Sequence, residues 1–437
     1  MKSASACALA VAFLLPVVAC AITIDTVPVD NANNPTDFQS NGLFGRVTSD
    51  YRIGTTEVTN AQYVEFLNAV AASDPYSLYN TNMDFYSRGG ITRSGSDGSY
   101  TYSVKSDVSG VGPGGTNYTY GDKPVIFVTW FDALRFANWV NNGATVGAST
   151  ETGAYTLLGG TATPTNADSI TRNNGATWFL PTENQWYKAA YYDGTAGSYY
   201  DYPTKSDAAP DNNIPLDDSG NSANYYNGAF TQEESYPLTA AGGYAFSASP
   251  YGTFDQGGNV WEWTETTGSP TSTRIIRGGA FDSDSSTLDA ASRTNKGAAL
   301  DAVDLGFRLA TIAIPTGVPG DYNGDSAVDA ADYILWRKNL GKSVALPNDS
   351  TPGTVSQADY DVWRTHFGQT SSSGSGSSSL LAGAVPEPST CALFMLFACI
   401  AACNRARRSR LVVVIPPYSR ELIPARRMRE CRKYMGL

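Results

Sequence analysis

The chain has 437 residues, enough for one large domain with appendages. Lysine and arginine total 30 against 41 aspartates and glutamates, a net charge of −11, and ten of the basic residues lie after Cys403. So acidic a body, rich in Tyr and Gly, argues against nucleic-acid binding, whose electrostatics need a basic face. The six cysteines are Cys7, Cys20, Cys391, Cys399, Cys403 and Cys431. None falls between positions 21 and 390, so the body carries no disulfide, no thiolate metal site and no cysteine nucleophile. The single histidine is His366.

Residues 1–21 combine Lys2, an apolar run and Ala19-Cys20-Ala21, the pattern of a secretory signal peptide. Cleavage after Ala21 and lipidation at Cys20 are both compatible with it. The body is placed at 22–312. Residues 22–29 alternate like a strand, and 51–56 read as another. Apolar spacing predicts a helix over 59–71 with Thr59 as N-cap, and a second over 131–141. Thr182 with Gln185 resembles a capping box for a third helix. Residues 74–121 and 191–249 read mostly as loop, which suits an irregular, ligand-stabilised fold.

The centre of the body is Gly257-Gly258-Asn259-Val260-Trp261-Glu262-Trp263, followed by Arg277-Gly278-Gly279-Ala280-Phe281 and by Leu305-Gly306-Phe307-Arg308-Leu309-Ala310. The two Trp rings call for burial, and a buried Glu262 needs a cation, a metal or several donors. Paired glycines permit close backbone approach and positive φ. Arg308, on an alternating Phe-Arg-Leu strand, is a candidate partner for the Glu262 carboxylate; Ca²⁺ is the other.

Behind a linker at 313–320 lies an internal repeat over 321–369. Ala331-Asp332-Tyr333-Ile334-Leu335-Trp336-Arg337 recurs as Ala358-Asp359-Tyr360-Asp361-Val362-Trp363-Arg364, and Gly341 and Gly368 close the two copies. The first copy offers Asp321, Asn323, Asp325, Asp329 and Asp332 as oxygen ligands, with the Ala327 carbonyl, which is the donor set of a seven-coordinate Ca²⁺ loop. The pair resembles a dockerin, a small all-α module, with Ser326 where such loops favour Gly. The second loop, 348–359, has Pro352 and few carboxylates, and is expected to bind weakly or not at all. A Ser/Gly linker covers 370–384. Then Val385-Pro386-Glu387-Pro388-Ser389-Thr390, an apolar run and an Arg cluster ending at Arg410 resemble a PEP-CTERM sorting tail over 385–410. That resemblance implies an exosortase-type sorting enzyme as partner and delivery to the cell surface or exterior. The basic stretch 411–437 extends past that pattern and has no physical explanation.

The order of the three body motifs, with Arg293 between the last two, resembles the formylglycine-generating enzyme (sulfatase-modifying factor) family. Glu57-Val58-Thr59-Asn60-Ala61-Gln62-Tyr63, Pro124-Val125 with Val128-Thr129-Trp130, and Phe179-Leu180-Pro181-Thr182-Glu183 with Trp186 agree with it. The resemblance implies an α+β, loop-rich body resembling the C-type-lectin fold. It also implies a copper site of two cysteines just after the RGG motif, where this chain has Ser283 and Leu288. A hydroxyl and an alkyl group do not replace soft thiolates for Cu(I), so copper and a catalytic residue set are not expected. The resemblance further implies Ca²⁺ on Asp255, the Gly258 and Val260 carbonyls and Glu262, and a second Ca²⁺ on Asn224 and the Tyr225 carbonyl, with Glu233 or Glu234 completing it. The functional expectation is an exported, surface-anchored binding or scaffold module, its Tyr- and Trp-rich loops suited to carbohydrate or peptide, and a cohesin-like partner for the dockerin-like pair. The alternative is an enzyme of the same family with altered oxidoreductase chemistry using Asp282 and Asp284.

Overall fold

The computed structural model describes residues 22–312, 318–342, 344, 346–351 and 354–370. The segments read as signal peptide (1–21), sorting tail (385–410) and basic extension (411–437), part of the 313–320 linker and the Ser/Gly linker beyond residue 370 lie outside them. Among the described residues no helix is long and apolar enough to cross a membrane.

Helix α1, Asn60–Val70, begins at Thr59, whose hydroxyl accepts from Gln62 N while the Gln62 side chain accepts from Thr59 N. This reciprocal box satisfies two of the donors that a helix start leaves open. A one-turn helix α2 follows at Asn82–Phe85. Helix α3, Trp130–Asn141, carries the same box on Thr129 and Asp132. The sequence reads α3 as amphipathic, yet Trp130 through Val140 are all buried, because the loops that follow wrap its polar side. Arg135 there pairs with Glu151 at 2.7 Å and donates to the Thr161 and Ala162 carbonyls. Helix α4, Glu183–Tyr191, starts at the Thr182–Gln185 box.

Two four-stranded sheets frame these helices. In the first, Tyr51–Gly54 pairs antiparallel with Thr26–Val29 on one side and with Ala310–Ile312 on the other. Ala310–Ile312 in turn pairs with Trp178–Phe179. In the second, Trp261–Thr267 lies between Thr273–Arg277 and the parallel strand Leu305–Gly306. Leu305 to Ile312 therefore leaves one sheet and enters the other, and 307–309 is the crossing rather than a continuous strand. Residues 305–311 are all buried, so the apolar-polar alternation of Phe307, Arg308 and Leu309 is one of sequence, and it shows no break at the crossing. A hairpin of Ile91–Ser94 and Thr101–Val104, inside the stretch read as loop, is a further difference. Its strands carry one or two apolar side chains each among Ser, Thr and Arg, too few to show as a strand pattern.

The core is aromatic where helices meet sheets. Phe66 of α1 stands edge-on to Phe136 of α3 at 5.3 Å, and Phe136 meets Phe307 of the crossing at 5.4 Å. Each such ring, fully buried, contributes about 1.5–3 kcal/mol relative to exposure. These contacts fix the crossing against α3.

In the repeat, α5 spans Ala330–Asn339 and α6 spans Gln357–His366, with matching capping boxes on Asp329–Asp332 and Ser356–Asp359. Gly341 and Gly368 both take positive φ, 80° and 85°. Tyr322, Trp336, Leu346 and Val355 form an apolar cluster of their own.

Candidate functional site

Trp263 is fully buried, and its indole donates to the Val128 carbonyl at 3.1 Å. Glu262, between the two tryptophans, is also fully buried. Its partner is Arg308: Nε reaches Oε2 and Nη2 reaches Oε1, both at 2.6 Å, and Trp186 Nε1 adds 2.8 Å to Oε2. Arg308 uses its other donors on the carbonyls of Gly54, Thr55 and Phe254. Lying in the crossing between sheets, this one guanidinium ties the first sheet, the loop before the glycines and the central strand together.

Two further acids stand around that cation. Glu57 is buried, and its carboxyl is pushed well above the usual range by burial, with Asp255 and Glu262 adding and Arg308 opposing. Oε1 accepts from Asn259 Nδ2 at 3.0 Å, whereas Oε2 is buried with no protein partner. Burial likewise pushes Asp255 up to about 6, although the Gly242 N–H bonds its Oδ2 at 2.6 Å. The sequence names Glu57 only as a member of a motif. An acid just before a helix cap looks like a solvated one, and only the tertiary fold buries it.

Gly257 and Gly258 serve chain approach. A Cβ on Gly258, at φ 86°, would lie 2.3 Å from the Asn224 carbonyl oxygen. Asn259, at φ 60°, accepts through Oδ1 from Thr239 N and Asn224 Nδ2. Gly258→Ala combines this overlap with a strained φ, so it should destabilise by at least about 1–3 kcal/mol in urea melts. An unchanged midpoint would show that the Asn224 backbone yields at no cost.

The expected Ca²⁺ ligands divide. Glu262 has both oxygens engaged by Arg308 and Trp186, so the group Asp255, Gly258, Val260 and Glu262 does not fit Ca²⁺ through Glu262. Asn224 fits better, because its Oδ1 is buried without a partner, an orphaned acceptor of the hard-oxygen type. The Tyr225 carbonyl beside it accepts from Thr231 Oγ1 at 3.3 Å, while Glu233 and Glu234 are exposed. In the repeat, Asp321 Oδ1 accepts from Gly324 N and Asp325 N, and Oδ2 accepts from Ser326 N. Asp332 accepts from Asn323 N and Asp329 N, and Asp325 accepts from Ala327 N. The loop is thus drawn round its own carboxylates, with Ser326 at φ 76° in the left-handed region where Gly is the easier residue. Among the described residues no three His, Cys, Asp or Glu side chains stand together as a metal site.

Comparison with known families matches residues 42–313 to the sulfatase-modifying factor enzyme 1-like domain. The chain belongs to that family. Solved structures similar to this family domain include CarF, at 21% identity over 66% of this chain and 98% of that chain, with a TM-score of 0.44. Others are Treponema denticola variable protein 1 (20% identity, 66% and 94% coverage, TM-score 0.39) and PvdO from Pseudomonas aeruginosa (15%, 66% and 92%, 0.35). The comparison with curated proteins gives no match.

Within the family domain, Ser283 and Leu288 are built into structure. Leu288 is fully buried in an apolar cluster with Ala223 and Tyr225. Ser283 Oγ accepts from Ala280 N at 3.2 Å, and its carbonyl accepts from Tyr226 N. Asp284 caps the turn Ser285–Thr287 by accepting from Ser286 N. Asp282 is exposed, and its carboxyl is raised by partial desolvation with Asp304 adding. Arg277 of the RGG motif and Arg293 converge on Glu183 of α4 at 2.9 and 2.8 Å, so these motif residues fasten α4 to the second sheet.

Proposed function

We propose that this family domain is a binding or scaffold module, exported and held at the cell surface, whose ligand is a carbohydrate or a peptide. The observation that carries the reading is Leu288. Where the family resemblance expects a thiolate, an alkyl side chain fills an apolar cluster, and no cysteine occurs anywhere between positions 21 and 390. Cu(I) has no soft ligand there. Ca²⁺ would be held by Asn224 Oδ1 and the Tyr225 carbonyl in the body, and by Asp321, Asn323, Asp325, Asp329, Asp332 and the Ala327 carbonyl in the repeat. It would supply cross-linking charge to loops rather than chemistry. The dockerin-like pair would offer α5 and α6 to a cohesin-like partner.

Two assays separate this from an enzyme with altered chemistry at Asp282 and Asp284. Metal analysis of the purified chain should find Ca²⁺ and no stoichiometric copper, and glycan or peptide arrays should find a ligand. Copper near one per chain, or oxidation of a cysteine in a sulfatase-motif peptide, would establish the enzyme instead. The sorting reading has its own check. Mass spectrometry of the surface form should find no peptide from 405–437, and recovery of those peptides would refute cleavage.

A further inference from the structure

We propose that two adjoining cavities on either side of Phe127 bind an oligosaccharide bearing free amino groups. This deepens, and rests on, the binding-module reading. The cavities measure about 400 and 440 Å³, within the range of small-ligand sites, and share Phe127 and Asp301 as lining. They make one groove with a waist.

The first cavity is built on an unsatisfied acid. Asp132 is 5% exposed and caps α3 through Oδ2, which accepts from Thr129 N at 2.9 Å and Thr129 Oγ1 at 2.7 Å. Among the described residues no hydrogen bond reaches its Oδ1, and Asp132 lines the cavity. Asp74 and Asp301 line the same space, with Arg93 as the only basic residue there. Arg93 is 3.6 Å from Asp74, which is already bonded to Leu78 N and Tyr79 N. The acid excess disfavours an anionic ligand, and among the described residues Asp132 has no direct ion pair, Arg135 acting on its carboxyl without a salt bridge. Burial raises its carboxyl to about 6, against the two Thr129 bonds, and an ammonium would relieve that cost.

The waist is aromatic and strained. Phe127 sits at φ 60°, a left-handed conformation rare for a bulky residue and concentrated at ligand clamps. Its ring stacks on Tyr86 at 5.7 Å and 24°, and Tyr86 meets Phe85 edge-on at 5.2 Å. Phe85 is 81% exposed. Phe127 is itself buried with one face against Tyr86, so the ring surface open to the C–H face of a sugar is that of half-exposed Tyr86, which lines the second cavity. Asn80 is engaged, donating to Asp301 and accepting from Asn82 N, so Thr81 in the first cavity, and Asn82 and Ser235 in the second, supply the hydroxyls and the amide for ring hydroxyl groups. A lysine side chain would meet Asp132 but leave this amide and hydroxyl belt unused, so the sugar is the better occupant.

The test is calorimetric titration of the full chain at pH 7 with a glucosamine trimer, its N-acetylated counterpart and trilysine. The amino trimer should bind about tenfold more tightly than the acetylated one, the size of one charge-assisted bond. Asp132→Asn keeps an oxygen for Thr129, and it should bring the two trimers to equal affinity without moving the melting temperature. Tyr86→Ala, at a half-exposed ring, should weaken both trimers, and it serves as the check if Asp132→Asn fails to fold. Equal affinities in the wild type overturn the proposal. Trilysine bound as tightly as the amino trimer, and lost in Asp132→Asn, identifies a basic peptide and overturns the sugar. Absence of heat with all three also overturns it, whereas a ligand found on the arrays would leave the binding-module reading standing.

Discussion

Arg308→Met should be the most damaging single substitution in the body, exceeding the cost of about 3–5 kcal/mol expected for Glu262→Gln. Both side chains are fully buried and face each other through two 2.6 Å contacts, so the removal of either strands the other. The asymmetry comes from the neighbours. After Glu262→Gln, the guanidinium still has Glu57 and Asp255 nearby, whose carboxyls burial raises, with Glu262 adding and Arg308 opposing. After Arg308→Met, those acids lose the cation that opposes their rise, and the carbonyls of Gly54, Thr55 and Phe254 lose the donors that bind them. Urea denaturation of the wild type and the two variants measures the order. A larger loss in Glu262→Gln would mean that Glu57 and Asp255 do not act as counter-charges. Equal midpoints in all three would refute the buried pair itself. The pair also bears on Ca²⁺: because Glu262 is committed to Arg308, any chelator sensitivity of the body should survive Glu262→Gln undiminished.

Part of this site can be read from residues alone, because isolated signals there narrow the physical solutions to one or two. A Glu between two Trp requires burial and a partner, but the residues leave Ca²⁺ and Arg308 both open and favour Ca²⁺, and only the fold pairs Glu262 with Arg308. Thr59 as N-cap and the Thr182–Gln185 box locate α1 and α4. What stays hidden depends on the fold bringing distant segments together. Glu57 and Asp132 are acids beside helix starts, where solvated acids are common, and only the loops that close over them make them buried. The crossing at 307–309 is invisible because a period of two continues through it whichever sheet each half joins. Phe127 at positive φ has no sequence signature at all, since nothing in its side chain favours that conformation. The repeat helices lie where the duplicated sequence puts them, and their boxes on Asp332 and Asp359 follow from the repeat.

Asp321→Ala should abolish folding of the repeat while leaving the main melting transition of the chain in place. Asp321 is 1% exposed, and its two oxygens hold the turn that leads into α5. Without them, the exposed Gly324 N and Ser326 N lose a part-buried acceptor, as does Asn348 Nδ2, at about 0.5–1.5 kcal/mol for each bond. Ser326, already at φ 76°, loses the bond that holds it there. Against this stands a small apolar cluster built on Tyr322, Trp336, Leu346 and Val355, and a core of that size rarely supplies more than about 3–5 kcal/mol. The summed loss is therefore comparable with the stability of the repeat. None of these residues belongs to the aromatic core of the body, so body packing should be untouched. Calorimetry of the full chain should show two transitions in the wild type and only the larger in Asp321→Ala. If the first loop holds Ca²⁺, a chelator should lower the smaller transition in the wild type and change nothing more in the variant. A main transition displaced by Asp321→Ala as far as by Glu262→Gln would show that repeat and body unfold as one cooperative unit, and that the linker between them divides nothing.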